Sequence, residues 1–307
     1  MLTEEGWHTV DDGRKLYTKT WKTEGTAKAR LVFVHGFSDH CNTYEQFFSY
    51  LASKSIEVYS FDQRGWGRTV LKNSERGDTG PTIRVLADIT SFLKSVTPCP
   101  IPLFLMGHSM GGGEVLCYAA QGPAEVRKHI RGYLLESPFV DFSPESKPSF
   151  VTVFFGRVAG KLLPQRQMVN KLDAKLLSRD PAVCKRLEED ELGHDTGTLE
   201  GLSGLLDRTH SLASGKLKIG DTAGEGGVTR IWFGHGDKDG ITNYHASKQL
   251  AERIEAKDKE FKTYEGWYHR LHDEPAPDNQ LFMDDVANWI LARSVDPVQV
   301  DSAKSRL

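Results

Sequence analysis

A serine flanked by glycines lies between a predicted strand and a predicted helix. Residues 107–111 read Gly-His-Ser-Met-Gly, which fits the pattern G-x-S-x-G with Ser109 at its centre. The apolar run 101–106 precedes this pattern, and residues 112–116 begin a helical one. In a nucleophile elbow the serine stands at a sharp strand-to-helix turn, and glycines two residues away avoid collisions with neighbouring elements. The spacing therefore predicts Ser109 as a nucleophile.

A serine hydroxyl is a weak nucleophile and needs a general base, which in turn needs a group that orients it. After an elbow of this kind the acid comes next in the chain and the histidine last, each in a loop at the carboxyl end of a strand. His269 and His272 both follow the last predicted strand, and the turn that Gly266 allows favours His269. Asp237 and Asp239 compete as the acid, and spacing alone does not decide between them.

An oxyanion hole needs two backbone N–H groups that point at the developing negative charge. We expect one from Met110, directly after the nucleophile, and the other from Phe37, in the loop after the apolar run 31–34. Gly36 permits the backbone to approach closely. His35 is expected to hold this loop by hydrogen bonding and not to act as a base.

Strands that alternate with helices predict an α/β fold, with a mostly parallel sheet covered by helices on both faces. The predicted strands are 14–21, 31–34, 56–61, 101–106, 133–135, 229–233 and 261–264, and the predicted helices are 44–51, 82–96, 244–254 and 281–291. The first strand is expected at a sheet edge. Ligands bind beyond the carboxyl ends of the strands in such sheets, which is where the candidate residues fall.

The alternation of strands and helices stops within residues 140–215. This segment is predicted to be a mostly helical cap, inserted between core segments 1–139 and 216–307. It contains a helix whose apolar face includes Phe154 and Val158, and we expect that face to contact substrate or a lipid surface. Packing of the same face on the sheet is the alternative.

The composition is that of an ordinary globular protein, with 38% hydrophobic residues and a net charge of −3 over 307 residues. The absence of a long basic block argues against nucleic-acid binding. Four cysteines without C-x-x-C spacing argue against a zinc site. The acidic start and the lack of a long apolar run favour a cytoplasmic location. Peroxisomal targeting is the alternative, because Ser305-Arg306-Leu307 is close to the S-K-L address.

Five motifs occur in a fixed order along the chain. They are HGFSDH at 35–40, FDQRGWG at 61–67, GHSMGG at 107–112, HGDKD at 235–239 and YEGWYH at 264–269. Together they resemble those of the monoacylglycerol lipases of the α/β-hydrolase superfamily, fungal members in particular, over most of residues 8–293. The resemblance implies an α/β-hydrolase fold with a cap. It also implies that Asp239 and His269 complete a catalytic triad with Ser109.

The resemblance implies hydrolysis of monoacylglycerol to fatty acid and glycerol through an acyl-enzyme, with no metal or cofactor. The expected partners are a lipid ester and, at the periphery, a membrane or lipid-droplet surface. Ser38 and Asp39 replace the glycine and glutamate of the family's H-G-x-G-E-H loop, and Asp39 is expected to contact the glycerol hydroxyls. A lysophospholipase or general carboxylesterase is the alternative within enzymes. A non-catalytic hydrolase-fold binding protein is disfavoured by the intact candidate triad.

Overall fold

Eight strands form the central sheet of the computed structural model, which describes residues 2–146 and 161–295. Across the sheet the order is β1-β2-β4-β3-β5-β6-β9-β10. The strands are β1 Leu2–Thr9, β2 Lys15–Lys22, β3 Ala29–Val34, β4 Ile56–Phe61, β5 Leu103–His108, β6 Ile130–Glu136, β9 Arg230–Gly236 and β10 Asp258–Tyr264. Neighbours from β4 to β10 pair in parallel, whereas β1 and β2 are antiparallel to their neighbours. This is the mostly parallel α/β architecture that the sequence predicts.

Helices cover both faces of this sheet because alternate side chains of each buried strand point to opposite faces. In β3, Val32 and Val34 join an apolar core with the helices on one side, and Phe33 joins the core on the other. The α-helices of the described ranges are α1 Glu45–Ser53, α2 Thr82–Ser95, α3 Met110–Gln121, α4 Ala124–Arg127, α5 Pro181–Glu188, α6 Leu199–Ala213, α7 Tyr244–Arg253 and α8 Asp278–Ala292. Residues of α2, α3 and α7 belong to the first core, and residues of α1 and α8 belong to the second.

The expectation that residues 14–21 form an edge strand is wrong. β2 lies between β4 and an additional strand, β1, which forms that edge of the sheet. β1 is mostly exposed and carries Glu4 and Glu5, so its own sequence lacks a buried apolar face. Pairing along β2 and the edge-to-face contact of Trp7 with Tyr17 hold it in place. Charged side chains are common on edge strands because they discourage pairing with other chains.

The described part of the predicted cap contains strands as well as helices. β7 (Gln167–Val169) pairs antiparallel with β8 (Thr196–Thr198), and α5 and α6 follow β7 and β8 respectively. Phe154 and Val158 lie outside the described residues. The cap boundaries at 140 and 215 therefore stay predictions. So do the contacts expected of the predicted helix that includes Phe154 and Val158.

A buried ion pair joins α6 to α3, the helix that follows Ser109. Arg208 Nη2 lies 3.0 Å from Glu114 Oε1, and both side chains are buried. Burial raises the pKa of Glu114 to about 7, although Arg208 and the Gln63 side chain act in the opposite direction. The folded protein therefore binds this proton more tightly than the unfolded chain does.

From this linkage we expect the free energy of unfolding to fall as the pH rises from about 4.5 to about 7. Each pKa unit corresponds to about 1.4 kcal/mol, so the fall due to Glu114 is on the order of 3 kcal/mol. Glu114→Gln keeps an acceptor for Arg208 and removes the titration. Urea unfolding between pH 5 and 8 should show a flatter profile for this variant, with exposed Glu125→Gln as the control. An unchanged decline in Glu114→Gln would contradict the assignment.

Candidate active site

Ser109 stands at a sharp turn between β5 and α3. β5 ends at His108, α3 begins at Met110, and Ser109 between them has φ 53° and ψ −117°. A Cβ on Gly107 would lie 2.3 Å from the carbonyl oxygen of Gly111, and a Cβ on Gly111 would lie 2.2 Å from that of Val34. The two glycines are thus required by close backbone approach, which is the reason the sequence suggested. The turn presents Ser109 at the carboxyl end of β5.

Asp239 and His269 meet at the same end of the sheet. Asp239 follows β9, His269 follows β10, and Asp239 Oδ2 lies 2.8 Å from His269 Nδ1. The other carboxylate oxygen accepts hydrogen bonds from the backbone N–H groups of Ile241 and Thr242. Burial alone would raise the pKa of Asp239, but the imidazoles of His269 and His235 outweigh it and hold the pKa well below its usual range.

The charge on Asp239 fixes the tautomer of His269. An ionised carboxylate only accepts hydrogen bonds, so Nδ1 of His269 carries the proton that it donates. Its Nε2 then has a free lone pair, as a general base requires. The ring of His269 also packs against that of His108, with 4.8 Å between the ring centroids.

Ser109 and His269 line one cavity of about 270 Å³. Ser109 Oγ makes no hydrogen bond to any described residue in this conformation, including His269. Hydrogen bonds between catalytic groups are often absent or long without substrate and tighten when it binds. The arrangement therefore places a serine hydroxyl and an oriented imidazole in the same cavity.

Asp237 and His272, the other candidates for the acid and the base, form hydrogen bonds elsewhere. Asp237 accepts a hydrogen bond from the backbone N–H of Gly266 at 2.6 Å. His272 is buried with its Nδ1 2.6 Å from Glu136 Oε1. Burial lowers the pKa of His272, but the carboxylates of Glu136 and Asp273 outweigh it and raise that pKa above its usual value. Neither Asp237 nor His272 contacts the cavity that holds Ser109.

The loop after β3 brings Phe37 close to Ser109. Phe37 lines the cavity, and a Cβ on the preceding Gly36 would lie 3.2 Å from the Cβ of Ser109. Met110 begins α3, where the first N–H groups of a helix have no acceptor within it. The positions of Phe37 and Met110 thus suit an oxyanion hole, and their role as its donors stays a prediction.

Hydrogen bonds from His35 and from the loop after β4 hold the loop after β3 in place. Nδ1 of His35 lies 2.8 Å from the carbonyl oxygen of Gly36, and its Nε2 accepts a hydrogen bond from the backbone N–H of Gln63. The Gln63 side chain donates in turn to the carbonyl oxygen of His35. His35 is therefore a structural histidine with both nitrogens engaged. Sequence reasoning assigned no role to Gln63, although it lies in the second of the five motifs.

Asp39 lines the cavity, but its carboxylate already has several protein partners. Oδ2 accepts from Tyr44 Oη at 2.5 Å and from Arg270 Nη1 at 2.8 Å, and Oδ1 accepts from the hydroxyl of Thr43. Burial raises the pKa of Asp39, yet Arg270 outweighs it and holds that pKa well below its usual range. The contact of Asp39 with glycerol stays a prediction. Arg270, next to His269, went unrecognised in the sequence because its partner is 231 residues away.

The segment after β7 forms another wall of the cavity. Its contributions include charged side chains, namely Lys171, Glu188, Asp190 and Asp195. Oδ2 of Asp190 also lies 2.9 Å from Nε2 of His40, in the loop after β3. This contact joins the wall to the core. The predicted cap segment thus does reach the site, and it also contributes the apolar side chains Leu172, Ala174, Leu177 and Leu187 to this wall.

Comparison with known proteins identifies the family. The family model described as Hydrolase_4, serine aminopeptidase S33, matches residues 25–276. A monoglyceride lipase homologue from Schizosaccharomyces pombe is 34% identical over 281 residues, which are 91% of this chain and 72% of the relative. The chain belongs to the monoglyceride lipase family of the α/β hydrolases. The resemblance seen in the sequence motifs is thereby confirmed.

Solved structures of monoacylglycerol lipases have the same fold as this chain. The monoacylglycerol lipase of Paleococcus ferrophilus matches with a TM-score of 0.77 and 28% identity, covering 91% of this chain and 99% of that one. A soluble variant of Saccharomyces cerevisiae monoglyceride lipase, solved with a substrate analogue, matches with a TM-score of 0.86 and 23% identity over 96% and 97% of the chains. Within the described part of this monoglyceride lipase family member, no helix is long and apolar enough to cross a bilayer.

Proposed function

We propose that this protein hydrolyses monoacylglycerols to a fatty acid and glycerol, with Ser109 as the nucleophile. The observation that carries the proposal is the shared cavity of Ser109 and His269, with Asp239 bound to the far nitrogen of that histidine. Membership of the monoglyceride lipase family and the names of its relatives support this substrate.

The mechanism follows from the orientation of His269. Its Nε2 takes the proton of Ser109 as the oxygen attacks the ester carbonyl, and Asp239 stabilises the imidazolium that forms. The N–H groups of Phe37 and Met110 bind the oxyanion, and the imidazolium then protonates the departing glycerol. Water repeats these steps on the acyl-enzyme and releases the fatty acid.

The residues around Ser109 suit the two parts of a monoacylglycerol. Lys171 and Glu188 in the cavity offer hydrogen-bonding groups to glycerol, and Leu172, Leu177 and Leu187 in the same cavity suit an acyl chain. Phe37 connects the cavity to an apolar cluster that also contains Trp66, Met110, Phe139 and Leu205. Peripheral contact with a membrane or lipid-droplet surface is part of the proposal, reached through the segment with Phe154 and Val158 that the sequence predicts to be helical. A cytoplasmic location is also part of it.

Substrate comparison tests the proposal. Purified protein is assayed on a monoacylglycerol, on lysophosphatidylcholine with the same acyl chain, on p-nitrophenyl butyrate and on an aminoacyl p-nitroanilide. We expect kcat/KM to be highest for monoacylglycerol, by about tenfold or more over lysophosphatidylcholine, because the latter carries a bulky charged headgroup. A preference for lysophosphatidylcholine or for the soluble ester would instead assign a lysophospholipase or a carboxylesterase. Cleavage of the anilide alone would assign a peptidase.

A further inference from the structure

Asp239 binds a second imidazole besides that of His269. Nε2 of His235 lies 3.0 Å from Asp239 Oδ2, the same oxygen that lies 2.8 Å from His269 Nδ1. His235 is the penultimate residue of β9, and Asp239 follows it by four residues. The side chains of both are fully buried. The oxygen that orients the general base is therefore shared between two histidines.

The hydrogen-bonding direction at His235 is fixed by its partner. Because the Asp239 carboxylate only accepts, His235 carries its proton on Nε2 and donates it. Nδ1 of His235 has no hydrogen-bond partner in the described parts of the chain. The opposite tautomer would place an unpaired N–H donor in the interior and two acceptors against each other, and both arrangements are unfavourable in a buried site.

The other donors to Asp239 do not replace His235. The hydroxyl of Thr242 lies 2.7 Å from Oδ2, but it also lies 3.2 Å from the carbonyl oxygen of Ser137, so one proton serves two acceptors. The backbone N–H groups of Ile241 and Thr242 bind the other oxygen, Oδ1. Thr242 Oγ1 also lies 3.3 Å from Nε2 of His235 and 3.4 Å from Nδ1 of His269, so each of these nitrogens has its shorter contact with Oδ2 of Asp239.

We propose that His235 is a positioning residue, whose N–H fixes the Asp239 carboxylate and withdraws part of the negative charge on Oδ2 from His269. This inference rests on the proposed ester hydrolysis. A carboxylate oxygen that already accepts a strong hydrogen bond attracts a neighbouring imidazolium less. Without the N–H of His235, more of the charge on Oδ2 would face His269 and stabilise its imidazolium, the form that cannot act as a base.

Other ionisable groups face this cluster and would stay in place when His235 is replaced. The ring of Tyr244 on α7 meets that of His235 edge to face, and Glu145 acts on Asp239 through its charge. The ionisable groups that line the cavity with His269 are Asp39, His108, Lys171, Glu188, Asp190, Asp195 and Arg270. His272 packs against His108. Because all of these are common to the proteins compared, a difference in pH profile reports the group at position 235.

The test compares His235→Phe and His235→Gln with the wild type. Phenylalanine fills the ring volume without a donor, whereas the side-chain amide of glutamine offers an N–H near the position of Nε2. The readout is kcat/KM for p-nitrophenyl butyrate between pH 4.5 and 9. For His235→Phe we expect the midpoint of the acid limb to rise by about half to one pH unit. For His235→Gln we expect that midpoint to stay close to the wild-type value.

An unchanged acid limb in an active His235→Phe would overturn the proposal, as would equal shifts in the two variants. If His235→Phe does not fold, NMR of the histidine ring nitrogens in the wild type still decides. The proposal requires His235 to be protonated on Nε2 only, and protonation on Nδ1 would refute it. If the wild type hydrolyses none of the esters, the proposed ester hydrolysis itself is refuted, and this outcome is separate from the test of His235.

Discussion

Ser109→Ala is expected to lower kcat on monoacylglycerol by about 10⁴- to 10⁶-fold, because the proposed acyl-enzyme cannot form without the hydroxyl. The fold should survive, since Ser109 Oγ makes no hydrogen bond to a described residue whose loss would leave a partner unpaired. Initial rates of fatty-acid release and the melting temperature measure the two effects. A fluorophosphonate probe should label the wild type at Ser109 and leave the variant unlabelled.

Ser55→Ala is the matched control for this substitution. Ser55 also has a positive φ, 67°, so both variants place alanine at a positive φ. It lies at the turn between α1 and β4, away from the cavity. Normal turnover by Ser55→Ala with none by Ser109→Ala would separate chemistry from backbone strain. Residual turnover of a few per cent in Ser109→Ala would mean that another group is the nucleophile.

His269→Ala is expected to lower kcat by about 10⁴-fold, since no other imidazole in the described structure lines the cavity with a carboxylate on its far nitrogen. The rate of fluorophosphonate labelling should fall as well, because the probe reports activation of Ser109. Both are measured near neutral pH on protein whose folding is checked by its melting temperature.

His272→Ala provides the comparison. His272 pairs with Glu136 in the interior, so its loss leaves a buried carboxylate without that partner and should lower the melting temperature by several degrees. The protein that remains folded should keep most of its turnover. The reverse pattern, with His269→Ala active and His272→Ala inactive, would show that His272 is the base and that His269 is not.

The sequence by itself determined the elements that depend on local sterics and local periodicity. The nucleophile elbow could be predicted because a backbone that turns so sharply at Ser109 leaves no room for a Cβ at Gly107 or Gly111. The buried strands could be predicted because a strand covered on both faces has an uninterrupted apolar run. The place of His269 after the last strand follows from the order of these elements.

The tertiary structure decided which distant residues meet. Spacing could not choose between Asp237 and Asp239, because both follow β9, and only the approach of the loop after β10 shows which carboxylate reaches His269. Likewise, β1 has no apolar pattern of its own and is a strand because β2 offers it hydrogen-bonding partners.

The same limit applies to the groups that surround Ser109, Asp239 and His269. Arg270 reaches Asp39 across 231 positions of the chain, and Arg208 reaches Glu114 across 94. His235 is close to Asp239 in sequence, but its ring points at the carboxylate only because the turn after β9 folds back on the strand end. Such contacts depend on how strands register and helices dock, and the spacing of residues along the chain does not encode those relations locally.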